Sequence, residues 1–166
     1  MIDAVTALKI ARKQADGLRH SEDSLFTLWE QAICGAPVLV HDVYGRPSYW
    51  LVPVVKESYV VGFVRLTDAG DVMDLGSFCR DPRNIHTCPE HVTGISMENV
   101  RQKMNAVTLE PGEVAGMPLF VHDGPVGRET WRVETVLNGA AHRWFFISSG
   151  GIYERPAGSI LDESSE

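Results

Sequence analysis

The sequence predicts an α+β protein made of two tandem helix-plus-antiparallel-meander repeats with an additional N-terminal helix. Three observations point there. Pro37-Val38-Leu39-Val40-His41-Asp42 recurs as Pro118-Leu119-Phe120-Val121-His122-Asp123. Each copy is followed by a Gly-Arg pair, Gly45-Arg46 and Gly127-Arg128, with one extra residue in the second. Each is also preceded by apolar residues at helical spacing and followed by alternating apolar runs between turn residues. A shared Pro, Val, His, Asp, Gly and Arg over so short a stretch reads as a duplication. Beyond the extra residue, Tyr49 matches Trp131 and Phe63 matches Phe145.

The N-terminal helix spans about residues 3–18, where Ala4, Val5, Leu8, Ala11, Ala15 and Leu18 recur every three or four positions. It has no counterpart in the second repeat. Ser21 caps the next helix, Glu22 and Asp23 sit in its positive first turn, and Leu25, Leu28, Trp29 and Ala32 form its apolar face before Gly35 ends it. In the second repeat Ser96 caps a helix with Met97, Val100, Met104 and Val107 on one face. Strands are expected at 37–42, 48–55, 59–66 and 71–76, then at 118–123, 130–137, 140–148 and 152–154. Asn138-Gly139 is the strongest turn signal, because both residues tolerate the positive φ of a type I′ hairpin. Lys56-Glu57-Ser58 holds the corresponding hairpin, and Asp68-Ala69-Gly70-Asp71 and Ser149-Gly150-Gly151 mark the turns after it. The chain therefore divides into 1–78, an inter-repeat loop 79–95, and 96–166 with a fraying acidic tail, Glu163 to Glu166.

Strand alternation assigns faces. A two-residue Asn138-Gly139 loop puts Trp131, Val133, Leu137, Trp144 and Phe146 on one face, and Arg132, Glu134 and Arg143 on the other, with Glu134 opposite Arg143. The first hairpin is apolar on both sides. Tyr49, Leu51, Val55, Val60 and Val64 fill one face; Trp50, Val52, Val54, Val61 and Phe63 fill the other. Left in water, those five side chains would forgo roughly 1.5–3 kcal/mol each. The N-terminal helix or the other repeat can cover them. A protein partner or a second copy can do so too, which makes Trp50, Val52, Val54, Val61 and Phe63 the candidate interface.

The 166 residues suffice for one compact domain or two small ones, with 44% hydrophobic and 22% charged residues, an ordinary globular balance. No apolar run approaches the roughly 20 residues that span a bilayer, and the N-terminus lacks the order of a secretory signal. Fifteen Lys and Arg against 22 Asp and Glu give a net charge of −7. That disfavours nucleic-acid binding, which needs clustered basic residues, and suits a basic protein target. Three cysteines, Cys34, Cys79 and Cys88, are too few for a disulfide scaffold and point to a reducing, cytoplasmic setting.

Two polar motifs invite chemistry. His41-Asp42 and His122-Asp123 suggest acid/base work, but neighbouring strand residues point to opposite faces. The simpler reading has Asp42 and Asp123 end their strands by accepting turn amides, with Arg46 and Arg128 as partners. The inter-repeat loop holds Cys79, His86, Cys88 and His91, the ligand types of tetrahedral zinc at a spacing that matches no usual pair. A Cys79–Cys88 disulfide and a plain polar linker are the other readings. Cys34 packs as a small hydrophobe. No GxSxG, HExxH, phosphate loop or dinucleotide fingerprint is present.

The stretch Ser48-Tyr49-Trp50-Leu51-Val52-Pro53-Val54, then Tyr59 to Leu66, then Asp68-Ala69-Gly70-Asp71-Val72 resembles PepSY-like and related cystatin-like α+β modules. The resemblance covers residues 21–78 and, less well, 96–154. It implies a helix followed by an antiparallel meander and a non-catalytic binding or inhibitory role, with no catalytic residues to carry over. The chain departs from those modules in lacking an export signal.

The sequence thus points to a non-catalytic protein-binding or regulatory module of inhibitor or immunity type. It expects no resident cofactor, with zinc at the Cys/His loop as the exception, and a protein partner or homodimer. The alternative is a small hydrolase or metal-dependent enzyme using His86, Cys88 and His91, or a pocket between the repeats lined by His41 and His122.

Overall fold

Asp3 starts the first helix by accepting the Thr6 amide at 2.8 Å, and the helix α1 (Ala4–Leu18) follows as the spacing predicts. The computed structural model describes residues 1–159, so the Glu163–Glu166 tail lies outside the described residues. The chain is mixed α and β, and its strand pairing is almost wholly antiparallel. It forms two compact units: Met1–Val40 with Pro47–Val92, and His41–Arg46 with the chain from Thr93 onward. The loop read as a linker therefore belongs mostly to the first unit, and the His41–Arg46 turn to the second.

In the first unit, β1 (Ile33–Cys34) and β2 (Val38–His41), the latter without its last residue, precede β3 (Pro47–Lys56), β4 (Tyr59–Thr67) and β5 (Val72–Ser77). β3, β4 and β5 form an antiparallel meander, and β1 pairs with β3. The helix expected after Ser21 is instead a 3-10 helix, Ser24–Trp29, capped by Asp23, which accepts the Leu25 amide at 3.0 Å. Three residues per turn put Phe26 and Trp29 on one side, where both are buried and meet edge to face at 5.0 Å. Trp29 lies directly against the backbone of Gly62: a Cβ there would sit 2.5 Å from its ring and 2.7 Å from the Gly76 carbonyl oxygen.

The N-terminal helix covers the Trp50 face. Ala7, Ala11 and Ala15 are buried in one cluster with Trp50, Val52, Val54, Val61, Val64 and Leu66. Small side chains let α1 lie close to β3, and the Trp50 indole donates to the Ile2 carbonyl at 3.1 Å. Trp50, Val52, Val54 and Val61 are therefore core residues of this unit, not an open interface. Phe63 is corrected further. The register shifts so that Val55 faces Val60 while Val54 faces Gly62, leaving Val61 as the extra residue. That shift inverts the alternation. Val64 turns to the Trp50 face, and Phe63 turns to the opposite one, against Phe78 at 4.5 Å and the Arg65 guanidinium at 4.2 Å.

In the second unit, Ser96 caps α2 (Met97–Asn105) as expected, accepting the Asn99 amide at 3.1 Å, with Val100 and Met104 buried. β6 (Val114–Ala115), β7 (Leu119–His122), β8 (Glu129–Leu137), β9 (Ala140–Ser148) and β10 (Gly151–Pro156) follow. The order is β7–β8–β9–β10, with β6 beside β8. Asn138 and Gly139 have φ of 52° and 77° and close a two-residue hairpin between Leu137 and Ala140. Four residues on, the register shifts: Val136 faces Ala141, but Glu134 faces Trp144. The expected faces are thereby corrected. Trp144 and Phe146 share a face with Arg132 and Glu134, and Glu134 lies opposite Trp144 rather than Arg143.

Candidate binding site

The repeated His-Asp motif is structural on its Asp42 side. Asp42 accepts the Tyr44 and Arg46 amides at 3.0 and 2.9 Å and pairs with Arg46 Nε at 2.6 Å. Those bonds hold its carboxyl below the ordinary carboxylate value. The second copy differs from expectation. Asp123 is buried and takes Arg155 at 2.7 Å and the Tyr153 hydroxyl, while Arg128 stays exposed. His41 Nδ1 donates to the Phe120 carbonyl at 3.3 Å, and His122 Nδ1 to the Gly124 carbonyl at 2.8 Å. Both rings spend that nitrogen on backbone oxygens.

The Cys/His loop forms the disulfide that was one of its three readings. Cys79 and Cys88 are joined and buried in the α1 cluster. In this state neither offers a thiolate, so the zinc set Cys79, His86, Cys88 and His91 is not assembled. His86 and His91 are exposed, and His86 meets the Tyr59 ring edge-on at 5.8 Å. A disulfide persists in oxidising surroundings, which removes the cysteine count as an argument for a reducing compartment. No described helix is long and apolar enough to cross a membrane.

Glu110, Glu113 and His142 form a group that sequence spacing could not reveal, with donor atoms within 4.8 Å of one another. Their charges are already answered. Glu113 takes Arg143 on both oxygens and the Thr135 hydroxyl at 2.6 Å, and His142 Nε2 lies 3.0 Å from Glu110. The bonds from Arg143 and Thr135 hold the Glu113 carboxyl down at about 2. Arg143 also pairs with Glu154 at 2.7 Å. With an arginine on both of its carboxylate oxygens, Glu113 serves as an ion-pair anchor.

The opposite face of the same sheet carries an aromatic and guanidinium cluster. Trp144 is only 2% exposed. Its indole donates to Glu134 at 2.8 Å, Tyr44 meets its ring edge-on at 5.8 Å, and the Arg132 and Arg155 guanidiniums lie 5.3 and 5.8 Å from it. Arg155 also covers Phe146 at 4.6 Å, and Phe146 stacks on Tyr153 at 4.9 Å. Tyr44 and Tyr153 are about half exposed, so the cluster reaches the surface at two tyrosines. Arg132 donates to the Val43 carbonyl, which ties the His41–Arg46 turn to β8. The sequence pattern puts Arg132 and Glu134 on one face and Trp144 on the other, because the register shift between the strands leaves no local mark.

The chain matches no family model, no curated protein and no solved structure.

Proposed function

We propose that this protein is a non-catalytic, protein-binding or regulatory module whose contact surface is the Tyr44, Arg132, Trp144 and Tyr153 cluster. The observation that carries this reading is the cluster's make-up. Tyrosine, tryptophan and arginine are the residue types that anchor protein interfaces; here Tyr44 and Tyr153 are about half exposed, Arg132 is half-buried and Trp144 is the buried base beneath them. The polar groups that would serve an enzyme are engaged elsewhere: His41 and His122 on backbone carbonyls, Cys79 and Cys88 on each other. The reading needs no resident metal or cofactor. A partner protein and a second copy of the chain are both candidate occupants of the surface.

Tandem duplication is part of the same proposal. Its support lies in strand registers. Cys34 pairs with Val54 and Ala115 with Thr135. The Gly35 amide donates to Pro53 and the Gly116 amide to Glu134, each at 2.8 Å. Lys56 faces Tyr59 and Leu137 faces Ala140, and each hairpin then shifts register at the same distance from its turn. One constant spacing along the chain relates every pair. On that spacing Trp131 corresponds to Trp50 rather than Tyr49, and Arg132 corresponds to the fully buried Leu51. The second copy has thus exchanged a core leucine for a cation.

The test is site-directed photo-crosslinking in the full chain, with a photoreactive phenylalanine at Tyr44. The reading expects one discrete adduct, competed by excess wild-type protein and not by excess Tyr44→Ala. An adduct of twice the chain mass identifies a second copy. Adducts no stronger than from a control position at Val5, or competed equally by both proteins, would overturn it.

A further inference from the structure

We infer that a second copy of this chain docks along the free edge of β10, antiparallel and two-fold symmetric, with Tyr153 opposite Tyr153. The inference goes beyond the surface proposed above and shares Tyr153 with it.

β10 ends the sheet, and among the described residues no strand pairs with its outer side. Its inner side is regular, matched residue for residue with β9 from Gly151 to Pro156. The Ala157 amide donates to the His142 carbonyl at 3.1 Å, one step further along the same register. Alternation from there turns the Tyr153 and Arg155 amides toward β9 and the Ile152 and Glu154 amides outward. Pro156 fits the same count, because an outward position needs no N–H. The outer side therefore offers a row of unpaired backbone donors and acceptors. β5, the other edge, differs. Arg65 faces Asp74 and Leu66 faces Val72, so Met73 is an extra residue that bends that strand. Such a bulge guards an edge, and β10 has none. Ile152 and Tyr153 stand 38% and 43% exposed on it. Its two charged side chains are tied back to their own sheet, Glu154 to Arg143 and Arg155 to Asp123, each at 2.7 Å.

The edge is self-complementary, and that selects a second copy as its occupant. A closed pair uses the same patch on both copies, and residues opposite each other in an antiparallel pair share a face. Centred on Ile152, the pairing runs into the Ser149–Gly150 turn. Centred on Glu154, it sets two glutamates opposite each other and turns an outward position to Pro156, which has no amide to give. Centred on Tyr153, Ile152 of each copy exchanges both backbone bonds with Glu154 of the other. Tyr153 then meets its own counterpart at a non-hydrogen-bonded position, where opposed side chains lie closest. This register uses both outward amides and opposes no like charges. It also sets the Tyr44–Trp144–Tyr153 faces of the two copies side by side.

Sedimentation velocity of the full chain over a concentration series should show a reversible monomer–dimer equilibrium. Ile152→Pro removes an outward amide that β9 does not use, as Pro156 already does. It should weaken the dimer at least about tenfold, since each copy loses an interchain bond. Amide hydrogen exchange of the wild type reads the same edge without a variant. The Ile152 and Glu154 amides should gain protection as concentration rises, while those of Tyr153 and Arg155 are protected throughout. If Ile152→Pro does not fold, this exchange pattern decides. A chain monomeric across the series, a dimer with unprotected Ile152 and Glu154 amides, or an Ile152→Pro dimer of wild-type strength would overturn the inference. A monomeric chain that still crosslinks a foreign protein from Tyr44 would leave the surface standing, so the two readings fail separately.

Discussion

Glu113 and Arg143 meet through both carboxylate oxygens, with the glutamate side chain fully removed from solvent and the guanidinium at 20% exposure. Glu113 precedes β6 and Arg143 lies on β9, so the pair ties the segment after α2 to the sheet. Thr135 completes it by donating to Glu113 and accepting the Arg143 amide at 3.2 Å.

Removing one partner of such a pair leaves the other charge uncompensated, so Glu113→Gln should cost about 3 kcal/mol. The pH dependence follows the same group. Its folded carboxyl sits at about 2 against an ordinary 4.5. Its contribution is therefore present above pH 4.5 and is lost as pH falls from there toward about 2. Urea denaturation across that range should show a steep acid limb in the wild type and a flatter one in Glu113→Gln.

Tyr153 gives the alkaline counterpart. Burial first, and its bond to Asp123 second, push its hydroxyl up to about 12 from 10. An acid raised on folding stabilises the fold below its unfolded value, and that contribution fades as pH rises from 10 to about 12. Tyrosinate absorbance should show a late-titrating component that is absent in Tyr153→Phe.

The Cys79–Cys88 bridge closes a short loop of separation 9. Restricting a loop of that size in the unfolded chain is worth roughly 2–3 kcal/mol. Reduction, or the double change to serine, should lower the urea midpoint accordingly. Unchanged stability would mean the loop is held by its other contacts, such as the Val60 amide on the Pro89 carbonyl at 2.7 Å.

Gly62→Ala should cost about 2–3 kcal/mol, because the new methyl meets both the Trp29 ring and a backbone oxygen, and the oxygen cannot step aside. Thermal unfolding compared with Gly139→Ala would separate crowding at Gly62 from backbone strain at a turn open to solvent.

Trp50→Ala should cost about 3–5 kcal/mol, as for any large aromatic in a packed core. Val5→Asp, on the outer side of α1 at 68% exposure, should stay within about 0.5 kcal/mol. A Trp50 variant of unchanged stability would restore that face as an interface.

The division between legible and hidden features runs along particular residues. Ser96 as a cap, α1 over residues 4–18, the Asn138-Gly139 turn and eight of the strands were readable, since each depends on neighbours a few positions away. The two-residue strands Ile33–Cys34 and Val114–Ala115 were not, because they are too short to show a period. Asp23 supplies the cap that the pattern assigns to Ser21, because the helix begins two residues later than its spacing predicts. The Glu113–Arg143 pair left no trace, because thirty positions separate its partners.

Local spacing and backbone preference are enough to set the mixed α and β class, the order of the longer strands and helices and the chemistry of the turns. Which side chains share a face is settled by packing across the sheet. One extra residue on β4 and one on β9 reverse every side chain beyond them. That placed Phe63 away from Trp50 and brought Trp144 beside Arg132. A register shift costs little locally and is selected by what the whole strand buries, so it is settled by packing across the sheet and not by any window of sequence.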